Sequence, residues 1–167
     1  MLKPQDVLVL LRLAGDAGSW SFQQLSQELR MSASEIYQAL QRAEASGLYD
    51  AKRRKVRKHA LLEFAVHGVR YAFPARREAR CYGIPTAHSA EPLCSRIVVE
   101  HDDCLVWPDP DGKLFGDAIA PLYRSAPEAA TRNAKLHRRL ALVDALRVGR
   151  ARERELAARA LDDELGP

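Results

Sequence analysis

The chain has 167 residues, 47% of them apolar, with mixed charges and a formal net charge of +4. That length can bury one good core, or a small domain plus an appendage, and the balance of charge and apolar residues marks a globular protein. The apolar run at 7–11 is short and is followed by Arg12, so it reads as neither a signal-peptide core nor a membrane span, and the three cysteines fit a reducing compartment better than a disulfide framework.

These features predict a cytoplasmic chain. In chain order, the first predicted element follows Pro4, where Val7, Leu8, Leu10, Leu11 and Leu13 make a strongly apolar helix ending near Gly15. Ser19, Trp20 and Ser21 lead into a second helix, with Trp20 read as a core anchor. Phe22, Leu25 and Leu29 form one helical face, and Ser21 is placed to cap it. Residues 30–32 break the pattern. Ser32 and Glu35 then have the spacing of a capping box, Ile36, Ala39, Leu40 and Ala43 form an apolar stripe, and Gly47 is placed to end the helix in a left-handed cap. Helix, three-residue turn and capped helix make a helix-turn-helix.

The segment 8–48 resembles the winged helix-turn-helix of bacterial regulators of the MarR type. The resemblance implies that the helix beginning after Ser32 enters the major groove of duplex DNA. Its solvent face offers Ala33, Ser34, Tyr37, Gln38, Gln41 and Arg42. Gln pairs with adenine edges, Arg with guanine edges and Ser with either. Tyr37 suits base reading or a phosphate or sugar contact. The resemblance also implies a homodimer joined through terminal helices.

Charge is segregated. Residues 51–60 carry a net +6, more than the whole chain's +4. Lys52, Arg53, Arg54, Lys55, Arg57 and Lys58 repel one another and call for solvent or an anionic partner. A row of phosphates is such a partner, and counterion release would make its binding salt-dependent. Residues 49–58 contain no Gly, Asn or Pro with which to turn a hairpin, so a short wing or a basic arm is expected there in place of a standard wing.

Residues 60–67 are a further helical patch closed by Gly68. Alternation at 69–73 predicts a strand ended by Pro74, and 96–100 and 104–107 are further strand candidates. The turn at 108–112 would return 113–115 as a hairpin. The stretch 66–77 with 83–88 is similar to a segment that follows a winged helix in uncharacterised bacterial regulators, which implies no activity. Tyr71, Phe73, Arg76 and Arg77 are either a stacking surface for single-stranded nucleic acid or core aromatics beside a basic surface. From Ser125, with Glu128 in a second capping-box spacing, helix returns. Leu136, Leu140, Val143 and Leu146 form a stripe, and Leu156, Ala160 and Leu165 extend it past Gly149. Such a stripe needs an apolar partner, either the chain's own core or a second subunit.

Cys81, His88, Cys94, His101 and Cys104 are potential zinc ligands, but none forms a C-x-x-C pair and no metal is expected. Phosphate-binding loops and nucleophile or metalloprotease motifs are missing, nothing selects Cys81 with His88 as nucleophile and base, and neither an enzyme nor a cofactor is predicted.

The reading is an α+β chain, mostly α. It comprises a winged helix-turn-helix domain (1–68), a β-containing or loop-rich section (69–124) and C-terminal helices (125–167) for dimerisation. The expected function is a dimeric, sequence-specific regulator of transcription, a repressor, binding double-stranded DNA with Ser34, Tyr37, Gln38, Gln41 and Arg42 on bases and the 52–58 cations on phosphates. The alternatives are an antitoxin-like or adaptor module that holds a protein partner, and a single-stranded nucleic-acid binder.

Overall fold

The computed structural model describes residues 1–15 and 19–166. It is an α+β structure, mostly α. Helix α1 (Pro4–Leu13) opens with Pro in the first turn, where a missing N–H costs nothing, and Asp6 accepts the Lys3 N–H at 2.8 Å. Its residues Val7 to Leu11 are all fully buried. Helix α2 (Phe22–Leu29) is capped by Ser21, whose hydroxyl accepts the Gln24 N–H at 3.1 Å. Arg30 then turns the chain at φ 53°.

Helix α3 (Ala33–Ala45) begins with the capping box that the spacing predicts. The Glu35 N–H donates to the Ser32 hydroxyl at 3.1 Å, and the Ser32 N–H donates to the Glu35 carboxylate at 2.8 Å. At the far end Gly47 takes φ +76°, and the Leu48 N–H returns to the Ala43 carbonyl at 2.9 Å. Replacing Ser32 with Ala should cost about 1 kcal/mol of stability, read from the urea midpoint; an unchanged midpoint would mean that tertiary packing alone sets where α3 starts. The bonds from the Ser32 N–H and hydroxyl hold the Glu35 carboxyl below the usual carboxylate range. Its contribution is therefore full at neutral pH and is lost as pH falls through that lowered value.

Of the two forms expected for the 49–58 stretch, the structure has the short hairpin and not the extended arm. Strands β1 (Tyr49–Asp50) and β2 (Lys55–Val56) form a short antiparallel hairpin with Tyr49 opposite Val56 and Asp50 opposite Lys55. Arg54, not a glycine, takes the left-handed position at φ 53°. That conformation costs roughly 1 kcal/mol or more in a non-glycine residue. It is offset by anchoring: the Arg54 guanidinium donates to the Trp20 carbonyl at 2.9 Å and lies 4.1 Å from the Trp20 ring centroid. Asp50 accepts the Arg53 N–H at 3.0 Å.

Helix α4 (Lys58–His67) follows, then α5 (Val69–Ala72), where the alternation at 69–73 had predicted a strand. The helix wins because Val69 and Phe73 are four apart and both turn inward. Val69 is fully buried, and the Phe73 ring meets Phe64 edge-on at 6.1 Å. Strand β3 (Glu78–Pro85) was not expected, because its mostly exposed residues give almost no alternation. It runs antiparallel to both β4 (Leu105–Pro108) and β5 (Leu114–Ala118), with Ile84 opposite Trp107 and Tyr82 opposite Phe115. β4 and β5 touch in parallel at Leu105–Asp117 and Val106–Ala118, so the three strands close on one another. The expected β4–β5 hairpin does not form, since both strands take β3 as their antiparallel partner. The closure requires glycine: a Cβ on Gly83 would lie 2.0 Å from the Trp107 carbonyl oxygen, and one on Gly112 would lie 2.3 Å from the Gly83 Cα. Residues 96–100 are not a strand either. The Ile97 N–H closes a turn on the Leu93 carbonyl, and Val98 is 94% exposed.

Helix α6 (Ala126–Arg132) starts at Ser125 without the predicted capping box. Ser125 has helical backbone angles, and its hydroxyl is buried with no partner, while Glu128 turns to Arg30 and Arg132. Asn133 instead caps α7 (Ala134–Val148), accepting the Leu136 N–H at 3.0 Å. α7 is the central helix: Leu136, Leu140, Val143 and Leu146 are buried, as are Leu142 and Ala145 on other faces. The chain's own core covers the stripe. Helix α8 (Ala151–Leu165) packs on α7 and α4 through Ala157, Ala160, Leu161 and Leu165, with Leu156 half-buried. One apolar cluster runs from Val7 through Trp107 to Leu165. Among the described residues no helix is long and apolar enough to cross a membrane.

Candidate nucleic-acid interface

Helix α3 divides its residues by the helical period. Ile36, Ala39, Leu40 and Ala43 face the core, whereas Ser34, Tyr37, Gln38 and Gln41 are exposed together on the opposite side. Tyr37 is 56% exposed and leans on Phe22, with ring centroids 6.3 Å apart. Phe22 in turn meets Trp20 edge-on at 5.3 Å. This row of rings carries the α3 face over the start of α2, close to the anchored Arg54.

Arg42 does not belong to that face. Its guanidinium forks onto Asp6, with Nη2 to Oδ1 at 2.7 Å and Nε to Oδ2 at 2.9 Å. Asp6 is fully buried in α1, so Arg42 neutralises a core carboxylate and ties α3 to α1. Sequence spacing placed Arg42 beside Gln38 and Gln41 but held no sign of a partner 36 residues upstream.

Of the six cations at 52–58, five are exposed on or beside the hairpin, and four of these, Lys52, Arg53, Lys55 and Arg57, have side chains not tied to the Trp20 anchor that holds Arg54. Arg53 is held only loosely, with Nε 4.0 Å from Asp50. Arg57 donates its backbone N–H to the Leu48 carbonyl at 2.9 Å, which fixes the exit of the hairpin beside the end of α3. Arg54 is committed to Trp20, and Lys58 is half-buried in the first turn of α4. The hairpin therefore presents a concentrated positive charge next to a polar helical face.

Two further residues reach this site from far along the chain. The Tyr123 hydroxyl donates to Glu35 at 3.2 Å, and Arg124 lies 4.0 Å from the same carboxylate. Nothing local in the sequence marks them, because the contact spans 88 residues.

The other candidates scatter. Phe73 packs inward on Phe64, Arg77 pairs with Asp103 at 2.6 Å and Asp117 at 3.4 Å, and Tyr71 and Arg76 are exposed, so they form no common stack. Cys81, Cys94 and Cys104 are free thiols. Among the described residues one group of potential metal donors comes together, His88, Asp103 and Glu153. His88 is buried, with Nε2 2.6 Å from the Asp103 carbonyl and Nδ1 3.9 Å from Glu153. Both carboxylates already have partners: Arg77 for Asp103, and the Arg150 N–H at 2.8 Å for Glu153. The cluster ties the β section to the start of α8.

No protein-family model, curated protein or solved structure matches this chain.

Proposed function

We propose that this protein is a sequence-specific regulator of transcription that binds double-stranded DNA through a winged helix-turn-helix, acting in the cytoplasm. The observation that carries this reading is the juxtaposition of two surfaces. A rigidly capped helix exposes Ser34, Tyr37, Gln38 and Gln41, and the adjoining hairpin holds Lys52, Arg53, Lys55 and Arg57 in solvent. α3 enters the major groove and reads base edges, and the hairpin lies along the flanking phosphates. The sequence resemblance to MarR-type regulators supports a repressor working as a homodimer. Since the α7 stripe is covered from within the chain, the two copies would meet on another face, with their α3 helices about 34 Å apart along one side of the duplex.

Selection from a pool of random duplexes, followed by anisotropy at increasing salt, tests the reading. Tight, salt-dependent retention of a shared sequence is expected; no binding at low salt would overturn it. Gln38→Ala should relax preference at one base pair, costing about 1–3 kcal/mol on the preferred duplex and little on others. An unaltered preference would remove Gln38 from the reading face. Competition with single strands separates this reading from a stacking binder, and stoichiometric recovery of one protein without DNA affinity would favour an adaptor role.

A further inference from the structure

We propose that Arg124 is a further phosphate contact for the same duplex, held beside the first turn of α3 by Tyr123, so that DNA is gripped from both ends of the reading helix. The inference rests on the reading above.

The geometry supplies three observations. Tyr123 is half-buried, packs against the core cluster and donates its hydroxyl to the Glu35 carboxylate, the second member of the α3 capping box. The segment before α6 is thereby pinned to the start of the reading helix. Arg124 is the next residue, with its side chain 80% exposed. Its links to the protein are loose: 4.0 Å from Glu35 and 5.7 Å from the Tyr123 ring centroid. A guanidinium held near one place but left in solvent suits a diffuse anionic partner better than a structural role.

The position complements the hairpin. Lys52, Arg53, Lys55 and Arg57 follow the C-terminal end of α3, and Arg124 stands at its N-terminal end. A helix lying in the major groove has phosphates beyond both ends, so cations at both ends fix its register along the groove. The attachment is stiffened by a second tie, since Arg30, in the turn before α3, pairs with Glu128 of α6 at 2.8 Å. The C-terminal part of the chain thus contributes directly to the reading surface.

The test uses the full chain and a duplex recovered from the random pool, with anisotropy measured across a salt series. Arg124→Ala should weaken binding about fivefold on every duplex and lower the salt slope by about one. Arg159→Ala, the same charge change on the exposed face of α8, should alter neither. Tyr123→Phe keeps the ring and the charge but frees the segment from Glu35. It should weaken binding by a smaller factor, and Arg124→Lys should restore most of the affinity lost in Arg124→Ala. If Arg124→Ala matches wild type while Arg53→Ala is weakened, Arg124 has no such role and the DNA reading stands. If Arg159→Ala loses as much as Arg124→Ala, the effect is one of net charge and the proposal fails. If the wild-type protein binds no duplex, the DNA reading fails and takes this inference with it.

Discussion

Asp144→Ala should cost about 3–5 kcal/mol of stability, the largest loss expected from a single substitution in this chain. Asp144 sits on α7 with 1% exposure and holds three donors at 2.7 Å: the Thr86 hydroxyl, the Trp107 indole N–H and the Arg147 guanidinium. It links β3's exit, β4 and α7 in one buried polar network. Complete burial pushes its pKa up, while Arg147, Thr86 and Trp107 pull it down. Removing the carboxylate leaves the buried Arg147 charge with only the Phe73 and Ala120 carbonyls, at 2.8 and 3.3 Å. It also strands the Trp107 N–H in the core, where an unpaired donor costs about 1–3 kcal/mol. Such a loss is a large share of the 5–15 kcal/mol of a typical domain. Urea denaturation measures it, and a loss below about 1 kcal/mol would show that those two carbonyls suffice for Arg147. Asp144→Asn, which keeps the shape and removes the charge, separates the ionic part from the hydrogen bonds.

Replacing Lys52, Arg53, Lys55 and Arg57 together with Ala should weaken duplex binding on the order of a hundredfold and flatten the salt slope by about three to four. The four side chains project into solvent, so the fold should survive, and circular dichroism checks that. Arg54 is deliberately left in place. Its guanidinium on Trp20 holds the hairpin, so Arg54→Ala would report on hairpin position as well as charge. Unchanged affinity and slope in the fourfold variant would remove the hairpin from any phosphate contact. The loss should be alike on preferred and unrelated duplexes, in contrast to that of Gln38→Ala, because phosphates carry no sequence.

The α2–α3 pair was legible because its signals are local. Ser21, Ser32 with Glu35, and Gly47 act within one turn of where they stand, and each is found capping or ending the helix expected of it. The stripes in α3 and α7 were legible for the same reason, the period of the helix. In the β section the strands at 104–107 and 113–115 were legible, but 69–73 and the strand pairing were misread because the deciding contacts are not local. Val69 to Phe73 fits either period until Phe64 is seen to meet Phe73, and β4 and β5 look like a hairpin until β3 is seen to pair antiparallel with both. The choice between short wing and arm at 49–58 was left open because a left-handed residue without glycine is tolerable only where something distant holds it, here Trp20 on Arg54.

By itself, then, the sequence determined the capped helix pair, the mostly helical class and the concentration of positive charge after α3, all properties of residues a few positions apart. Only the tertiary structure decided which of those charges remain available. Arg42 went to Asp6 and Arg54 to Trp20, while Arg124 came to the start of α3 from the segment before α6. A charged side chain stays available to a partner only where folding neither buries it nor fixes it closely on a counter-charge or acceptor, and that depends on long-range contacts.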